Sequence, residues 1–236
     1  MSSPGPKPSG RKYSGIAPEE RARHRRASLL ASALEQFGTY GYASVSIKQI
    51  CQGASLTERY FYESFTGRED CLAALYDDLA AAMRTATLTA IDSAPPNLDT
   101  VTAAGLAAFI GHLSSDPRRA RVVLIEVVGV SAAMEQRRHR VLRDFADTVL
   151  AVWGAEGSRP PGRQQRLTAT ALVGGVNHLL VDWLMDECRD DPTDLVTVCA
   201  DLFAAARAHW DTAAASSAAP FPDRAGARQQ ATRPVF

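Results

Sequence analysis

The segment that most constrains the fold is SIKQICQGASLTERYFYESF, residues 46–65. Ser46 followed by Gln49 has the spacing of a capping box, which predicts the start of a helix. Residues 53–55, Gly-Ala-Ser, predict a tight turn, and Thr57 is suited to cap a second short helix. We therefore expect two short helices joined by a turn.

The second of these helices is too short to be stable alone, because forming the first helical turn is costly. Its inward side carries Tyr60 or Phe61, and its end reaches Phe65. Packing of these aromatic residues against neighbouring helices would hold it in place. Glu58, Arg59 and Tyr60 are then left on the outer face. This is the layout of a helix-turn-helix, whose second helix enters the major groove of DNA.

The charges are distributed unevenly along the chain. Its net charge is zero, but residues 1–62 contain nine Lys or Arg and four Asp or Glu. A basic N-terminal part followed by an acidic body is typical of a polyanion-binding module attached to a separate core. The alternative is a chance distribution of surface charge. Because the basic excess coincides with the helix-turn-helix segment, we favour the binding module.

The four cysteines, Cys51, Cys71, Cys188 and Cys199, are not arranged as metal ligands. They show no Cys-x-x-Cys spacing and each lies in an apolar helical pattern, so we expect reduced thiols, no metal site and no cofactor. No apolar run approaches the length of a membrane span, and the N-terminus lacks the apolar core of a signal peptide. The sequence thus predicts a cytoplasmic protein that does not contact a membrane.

Helical periodicity continues through the rest of the chain and predicts an all-α fold. Residues 1–17 predict a disordered basic arm, which either follows DNA phosphates or stays solvated, and residues 213–236 predict a disordered tail. Between them we expect a three-helix helix-turn-helix head over 18–66 and a larger ligand-binding and dimerisation domain over 67–212. The predicted helices of this domain are 68–91, 98–115, 117–129, 131–154, 163–188 and 193–212.

One predicted helical stretch, ATALVGGVNHLLVDWLM (169–185), is apolar on nearly every side. A surface helix is apolar on one side, so this helix needs partners on more than one side. Two consecutive glycines lower its helix propensity, which indicates close approach of another helix. With the next helix it would form a four-helix interface around a twofold axis; the alternative is burial within a monomer. The expected interface residues are Leu172, Gly174, Gly175, Leu179, Trp183, Leu195, Leu202 and Phe203.

Several residues of the second domain are candidates for a small-molecule pocket, because such sites combine an apolar lining with a few polar groups. The alternative for each is a role in the core or in an interface, and the Glu126 carboxylate could pair with Arg121 or Arg137. The candidates are Phe109, His112, Glu126, Met134, Phe145, Asn177 and His178.

The sequence contains no recognisable catalytic constellation. Its five histidines are scattered without metal-type pairing, and there is no Gly-rich phosphate loop, nucleophile elbow or HExxH motif. We therefore expect no enzymatic activity. The alternative class is an all-helical enzyme or a protein-interaction adaptor whose head binds no DNA.

Residues 25–76 resemble the tetracycline-repressor (TetR) family of bacterial regulators. The run of ordered matches is long, which makes the resemblance specific. Two positions depart from the family: Cys51 replaces the usual Ala, and Ser55 replaces the usual turn Gly, where a left-handed backbone disfavours a side chain. The matching positions are Phe37, Gly41, Tyr42, the Ser-Ile-x-x-Ile opening at 46–50, Phe61, Tyr62 and Phe65.

The resemblance implies a set of DNA contacts. Hydroxyls and helix N-termini position the phosphate backbone, whereas Arg and Glu can read base edges. The implied phosphate contacts are Ser46, Lys48, Tyr62 and Arg68, and the residues implied to face the groove are Thr57, Glu58, Arg59 and Tyr60.

The resemblance also implies a function. We expect a homodimeric DNA-binding repressor that leaves a palindromic operator when a small apolar or amphipathic effector binds. The alternative within the same class is a dimeric regulator without a ligand. A sealed body would favour that alternative, whereas a cavity of roughly several hundred cubic ångströms would favour effector control.

Overall fold

The computed structural model describes residues 17–154 and 160–218, with side chains described as far as His209. All regular elements in these ranges are helices, which confirms the predicted all-α fold. The predicted arm, apart from Ala17, and residues 219–236 of the predicted tail lie outside the described residues. The elements are α1 (Pro18–Tyr40), α2 (Ile47–Gly53), α3 (Glu58–Tyr62), α4 (Arg68–Ser93), α5 (Leu98–Ser114), α6 (Pro117–Arg121), α7 (Ala132–Gly154), α8 (Arg163–Met185) and α9 (Pro192–Ala218), with a 3-10 turn at Tyr42–Ser44 and a π-type turn at Val122–Glu126.

The first three helices form the head, and the cap of α2 and the turn follow the sequence pattern, whereas Thr57 at the start of α3 makes no side-chain cap hydrogen bond. The Ser46 backbone N–H donates to Gln49 Oε1 at 2.8 Å, and the Gln49 backbone N–H donates to the Ser46 hydroxyl at 3.3 Å. Ser55 in the turn has a φ of 54°, the left-handed conformation expected there. Phe61 is fully buried, with its ring centroid 5.4 Å from that of Phe65. This aromatic pair holds the short α3 in place.

Head and body share one hydrophobic core. Phe37 of α1 and Leu72 and Tyr76 of α4 are buried in a continuous cluster that extends to residues of α8 and α9. The long α4 serves both parts, because it packs against α1 in the head and along α5 in the body. The head is therefore attached to the body through packed side chains.

The segment after α6 differs from the single helix expected over 117–129. The α-helix ends at Arg121, and one wider π-type turn follows. Residues 122–124, Val-Val-Leu, are all buried in this turn. Consecutive residues of a regular α-helix point about 100° apart, so the wider turn helps three neighbours face the core together.

The last two helices also differ from expectation. α9 continues to Ala218, beyond the predicted end at residue 212. By length and composition alone α8 could cross a membrane, contrary to the expectation that no apolar run was long enough. One such helix is weak evidence for a membrane, because apolar helices of packed proteins pass the same test. Only 22% of its most apolar window is buried within the protomer, so α8 has a large surface left to cover.

Candidate nucleic-acid interface and effector cavity

The head presents an exposed polar surface formed by α3 and the start of α2, which we call the recognition ridge. The Arg59 side chain is 82% exposed, and Tyr62 is 57% exposed. An exposed arginine and tyrosine on a short, braced helix can reach base edges and phosphates. The ridge consists of Ser46, Lys48, Thr57, Glu58, Arg59 and Tyr62, all of them exposed.

Tyr60 lies differently from the other residues expected to face the groove, because it is half-buried. The guanidinium carbon of Arg25 in α1 lies 4.5 Å from the centroid of the Tyr60 ring, a cation–π geometry. Arg25 also lies 3.5 Å from the carboxylate of Glu63, which pairs with Arg59 at 3.1 Å. Arg25 therefore braces α3 from behind, a role that no local sequence pattern could predict.

Arg68, at the start of α4, is held by the head itself. Its guanidinium donates a hydrogen bond to the Val45 carbonyl at 2.5 Å and lies 4.4 Å from the centroid of the Tyr42 ring. One N–H of this guanidinium is therefore engaged within the protein. Arg68 thus acts as a brace between α4 and the turn before α2, and the phosphate contact implied for it by resemblance stays a prediction.

The body contains a partly open cavity of about 90 Å³ among α4, α5, α7 and α8, with a lining that is almost entirely apolar. The predicted pocket residues Phe109 and Phe145 meet there edge to face, with ring centroids 4.9 Å apart. Asn177 of α8 also belongs to the lining. The volume is below the roughly 300–1,000 Å³ of ordinary ligand pockets, so a larger ligand has to displace the walls.

The other four predicted pocket residues lie elsewhere. Met134 is buried in the core, and His178 is exposed on α8, 3.7 Å from Asp182. The Nε2 atom of His112 is buried without a hydrogen-bond partner among the described residues, and burial lowers the pKa of this imidazole. Glu126 faces the head. Their assignment to the pocket was wrong because polar residues in an apolar run do not reveal which side of a helix faces a cavity.

Sequence reasoning missed most of the lining, including Tyr76 of α4 and Arg138 and Trp153 of α7. The available signal was the periodicity of α7, where apolar residues recur at helical spacing between Val141 and Val152. This pattern marks one face of α7 as inward. It does not by itself separate a cavity wall from a filled core.

The described cysteines are separate thiols. Cys51, Cys71 and Cys199 are buried and unpaired, and burial raises the pKa of the Cys71 thiol to about 12. Such thiols stay protonated and unreactive at neutral pH. Within the part of the chain that the structure describes, no group of three or more His, Cys, Asp or Glu could hold a metal ion.

The head carries the family signature. Residues 29–75, which include all of α2 and α3 and most of α1, match the family model described as bacterial regulatory proteins, tetR family. The chain belongs to the TetR family. It is a DNA-binding transcriptional regulator, as predicted from the sequence. Regulators of this family bind DNA operators and small-molecule effectors and act as dimers.

Solved structures of other regulators share the fold of this TetR-family chain. The fatty acid degradation regulator FadR from Bacillus halodurans superposes with a TM-score of 0.68 at 17% identity, covering 80% of this chain and 96% of FadR. FadR from Bacillus subtilis, in complex with stearoyl-CoA, gives 0.65 at 17% identity over 75% and 96% of the two chains. A tetR-family regulator from Streptomyces coelicolor gives 0.68 at 16% identity over 82% and 86%. A comparison with curated proteins finds no match.

In this TetR-family structure the π-type turn joins the cavity to the head. One carboxylate oxygen of Glu126 accepts a hydrogen bond from the Tyr42 backbone N–H at 2.7 Å, and the other accepts from Arg121 Nε at 2.9 Å. Val123 and Leu124 of the same turn line the cavity. Five consecutive residues thus touch both the cavity and the turn that precedes α2.

α8 and α9 leave an apolar surface exposed, which we call the outer face. On α8, Leu167 is 53% exposed and Met185 is 70% exposed. On α9, Val198 is 50% exposed and Leu202 is 58% exposed. A Cβ at either of residues 174–175 would meet no atom within 4 Å. The protomer itself therefore supplies no partner for the glycine pair.

Three of the residues expected at a dimer interface are instead buried in the protomer. Trp183, Leu195 and Phe203 are each at most 5% exposed, because α8 and α9 use these residues to pack on the body. Leu172 and Leu179 are half-buried at the margin. An all-round apolar helix has two apolar sides, and its sequence does not tell which one faces inward.

Proposed function

We propose that this chain is a homodimeric repressor that leaves a palindromic operator when a small apolar or amphipathic effector enters the body. The observation that carries the proposal is the π-type turn at Val122–Glu126, which lines the cavity through Val123 and Leu124 and holds the head through Glu126. A ligand that moves this cavity wall also moves a hydrogen-bond acceptor of the head.

The recognition ridge supports the DNA-binding part of the proposal. In it, Arg59 reads base edges, and Ser46, Lys48 and Tyr62 contact phosphates. Thr57 and Glu58 face the groove beside Arg59, where Glu58 can accept from a cytosine amine. Neutralising phosphates releases counterions, so affinity should fall steeply as salt increases. A regulator of chromosomal genes acts where the DNA is, so we expect it in the cytoplasm.

The outer face supports the dimer. Four exposed apolar side chains and an open glycine pair on two adjacent helices form a surface that a second copy can cover. A twofold axis through this surface pairs α8 and α9 of each protomer in a four-helix interface. The two heads then present their ridges to half-sites about 34 Å apart, one turn of the duplex.

The cavity supports effector control. Its apolar lining fits an apolar or amphipathic molecule, and the similar fold of FadR from Bacillus subtilis holds stearoyl-CoA. Because the cavity measures about 90 Å³, an effector of more than a few heavy atoms must widen it. A differential affinity of about 1–3 kcal/mol between the two head arrangements, the usual size of allosteric coupling, lowers operator occupancy appreciably.

The small cavity also favours a second candidate function, a dimeric repressor without a ligand. In that case the cavity would not widen to admit a ligand, and the body would serve only to hold the two heads together. The two candidates differ in one respect, namely whether any small molecule changes operator affinity.

The test of DNA recognition is selection of bound fragments from random duplex DNA by the purified full-length protein. We expect enrichment of a palindrome, with affinity that decreases as salt increases. A reporter gene carrying the enriched sequence in its promoter should be expressed less when the protein is present. Absence of any enriched sequence would contradict the proposal, and raised expression would indicate an activator.

Variants of the ridge make the same test residue-specific. Replacing Arg59 by Ala or Tyr62 by Phe should weaken binding to the selected operator by roughly 5- to 100-fold, the effect of losing about 1–3 kcal/mol of contact energy. The matched control is Tyr40→Phe, since Tyr40 is also an exposed tyrosine of the head, at 59%, but lies at the end of α1. Equal affinities for all variants in a gel-shift titration would remove the assigned roles.

A further inference from the structure

The hydrogen-bonding groups of the cavity lining are mostly satisfied within the protein. Thr87 and Thr148 each donate at 2.9 Å to a backbone carbonyl of their own helix. Thr102 accepts a hydrogen bond from the indole N–H of Trp153 at 3.2 Å. A ligand therefore gains little from these three threonines, and its polar contacts must come from other lining residues.

Arg138 is the lining residue with an incompletely neutralised charge. Its side chain is 25% exposed, and its ion-pair partner, Glu135, lies 4.0 Å away. The Glu135 carboxylate is shared, because it also accepts a hydrogen bond from the Gly129 backbone N–H at 2.8 Å. The neighbouring Arg137, in contrast, pairs closely with Asp77. A largely buried cation with a distant partner favours binding of an anion.

The charge of Arg138 affects the ionisation of the buried hydroxyl of Tyr76. Burial raises the pKa of Tyr76 to about 12, and the positive charge of Arg138 is the strongest influence in the opposite direction. Tyr76 lines the same cavity and is 1% exposed. Arg138 therefore lines the cavity and lies close enough to influence the hydroxyl of another lining residue.

The α7 residues that line the cavity are spread along most of that helix. Lining residues on this helix begin with Arg138 and end with Trp153, which corresponds to roughly 22 Å at 1.5 Å per residue. Between these two ends, the α7 residues that line the cavity are apolar except for Thr148. The lining residues of α7 are Arg138, Val141, Leu142, Phe145, Thr148, Val149, Val152 and Trp153.

Asn177 is a second polar group at the Arg138 end. Ala169 of α8 packs in one cluster with Ala146 and Leu150 of α7. Because a short connection makes α7 and α8 antiparallel, moving eight residues along α8 from Ala169 to Asn177 leads towards Arg138. The Asn177 side chain has no hydrogen-bond partner among the described residues, so its amide is available to a ligand.

From these observations we propose that the effector is a linear apolar chain that carries a single anionic head group, such as a carboxylate. Arg138 binds the head group, Asn177 adds a neutral hydrogen bond, and the chain extends along α7 towards Trp153. This inference deepens the proposed function and rests on the cavity being the effector site. It makes Arg138 the residue that selects the charge of the ligand.

The test uses three probes with the same ten-carbon chain: decanoate, decanol and decylamine. Binding of each to the full-length protein is measured by isothermal titration calorimetry at neutral pH, where decanoate is negative and decylamine positive. We expect decanoate to bind at least tenfold more tightly than decanol, and decylamine to bind most weakly. The equal chains keep the apolar contribution constant, so the difference reports the head group.

Variants of α7 separate the effect of the Arg138 charge on binding from any effect on folding. Arg138→Gln should weaken decanoate binding about tenfold and leave decanol binding unchanged, whereas Arg138→Lys should retain most of the preference. The matched control is Arg140→Gln, because Arg140 lies on the same helix but is exposed. If a variant does not fold, the affinities of the three probes for the unaltered protein still show whether the cavity prefers an anionic head group.

The outcomes distinguish this inference from the proposed function. Equal affinity for decanoate and decanol, or tighter binding of decylamine, overturns the anionic head group. If no probe binds while the protein still retains operator DNA, the cavity is not a chain-binding site and the inference is wrong. If decanoate binds selectively but no DNA sequence is enriched, the inference stands and the proposed repressor function fails.

Discussion

Lys48 and Arg68 illustrate at the residue scale how two basic side chains of one head differ in their surroundings. Lys48 is exposed in the first turn of α2, where it can approach a phosphate. Arg68 is half-buried, with its guanidinium bound to the Val45 carbonyl and stacked on Tyr42. We therefore predict that Lys48 contacts DNA, whereas Arg68 stabilises the head.

Exchanging each residue for Gln should separate these roles. Lys48→Gln should reduce the slope of log affinity against log salt by about 0.9, the effect of one lost phosphate contact, without changing stability. Arg68→Gln should reduce the free energy of unfolding by about 1.5–3 kcal/mol, because a hydrogen bond from a charged donor is lost. Operator titrations at several salt concentrations and urea unfolding give the two quantities. A reduced salt slope for Arg68→Gln at full stability would show that Arg68 contacts DNA after all.

Contacts close in sequence were predictable at this scale, and contacts distant in sequence were not. The capping box of Ser46 and Gln49 follows from a three-residue spacing, and its hydrogen bonds are present. The cation–π contact between Arg25 and Tyr60 joins two separate helices. Its existence depends on how α1 and α3 cross, which no local spacing encodes.

At the scale of elements, the docking of α6 on α1 attaches the body to the head. Gly38 of α1 allows this approach, since a Cβ there would lie 2.5 Å from the Arg118 Cβ and 2.9 Å from its Cα. Arg118 in turn is fixed by Asp116 at 2.9 Å and by Glu35 of α1. The hydrogen bonds from Arg118 lower the pKa of Asp116, which therefore stays ionised at neutral pH.

Gly38→Ala should weaken this docking. The added methyl group meets the backbone and Cβ of Arg118, so we expect a loss of about 1–3 kcal/mol in the free energy of unfolding. The control is Gly111→Ala in α5, where a Cβ would meet no atom within 4 Å. That change should stabilise the protein by up to about 1 kcal/mol, because Ala favours a helix. Urea denaturation measures both, and an unchanged midpoint for Gly38→Ala would contradict the close approach.

The π-type turn makes a second connection to the head, through Glu126 and the Tyr42 backbone N–H. Glu126→Ala should increase the rate of hydrogen exchange at the Tyr42 amide by roughly 10- to 100-fold, because its charged acceptor is lost. Glu35→Ala, which removes the other carboxylate between head and body, should leave this amide unchanged. Exchange followed by mass spectrometry distinguishes the two, and equal protection in both variants would show that Glu126 does not hold the head.

At the scale of the whole molecule, the sequence does not show which side of α8 packs on the body and which side stays exposed, because α8 is apolar on nearly every side. The structure places Val176, Leu180 and Trp183 inward, so the opposite side forms the outer face. That choice depends on how α7 and α9 pack against α8. The sequence did not separate the two sides of α8, so the expected interface mixed buried residues such as Trp183 with residues of the outer face.

Leu202→Glu should break the proposed dimer, because it places a charge in the apolar outer face that a second copy would cover. The matched control is Val128→Glu, which alters a residue of similar exposure, 51%, that lies between α6 and α7 and belongs to neither α8 nor α9. Sedimentation velocity should give a monomer for the first variant and a dimer for the second. A dimer in both cases would place the interface elsewhere.

The central claim, that two recognition ridges of one dimer read DNA together, is tested most directly by hydroxyl-radical footprinting on the selected operator. The account predicts two protected patches centred about one helical turn, or 34 Å, apart on palindromic half-sites, with both lost for Leu202→Glu. A single protected patch in the unaltered protein, or two patches that persist in a monomeric variant, would contradict it.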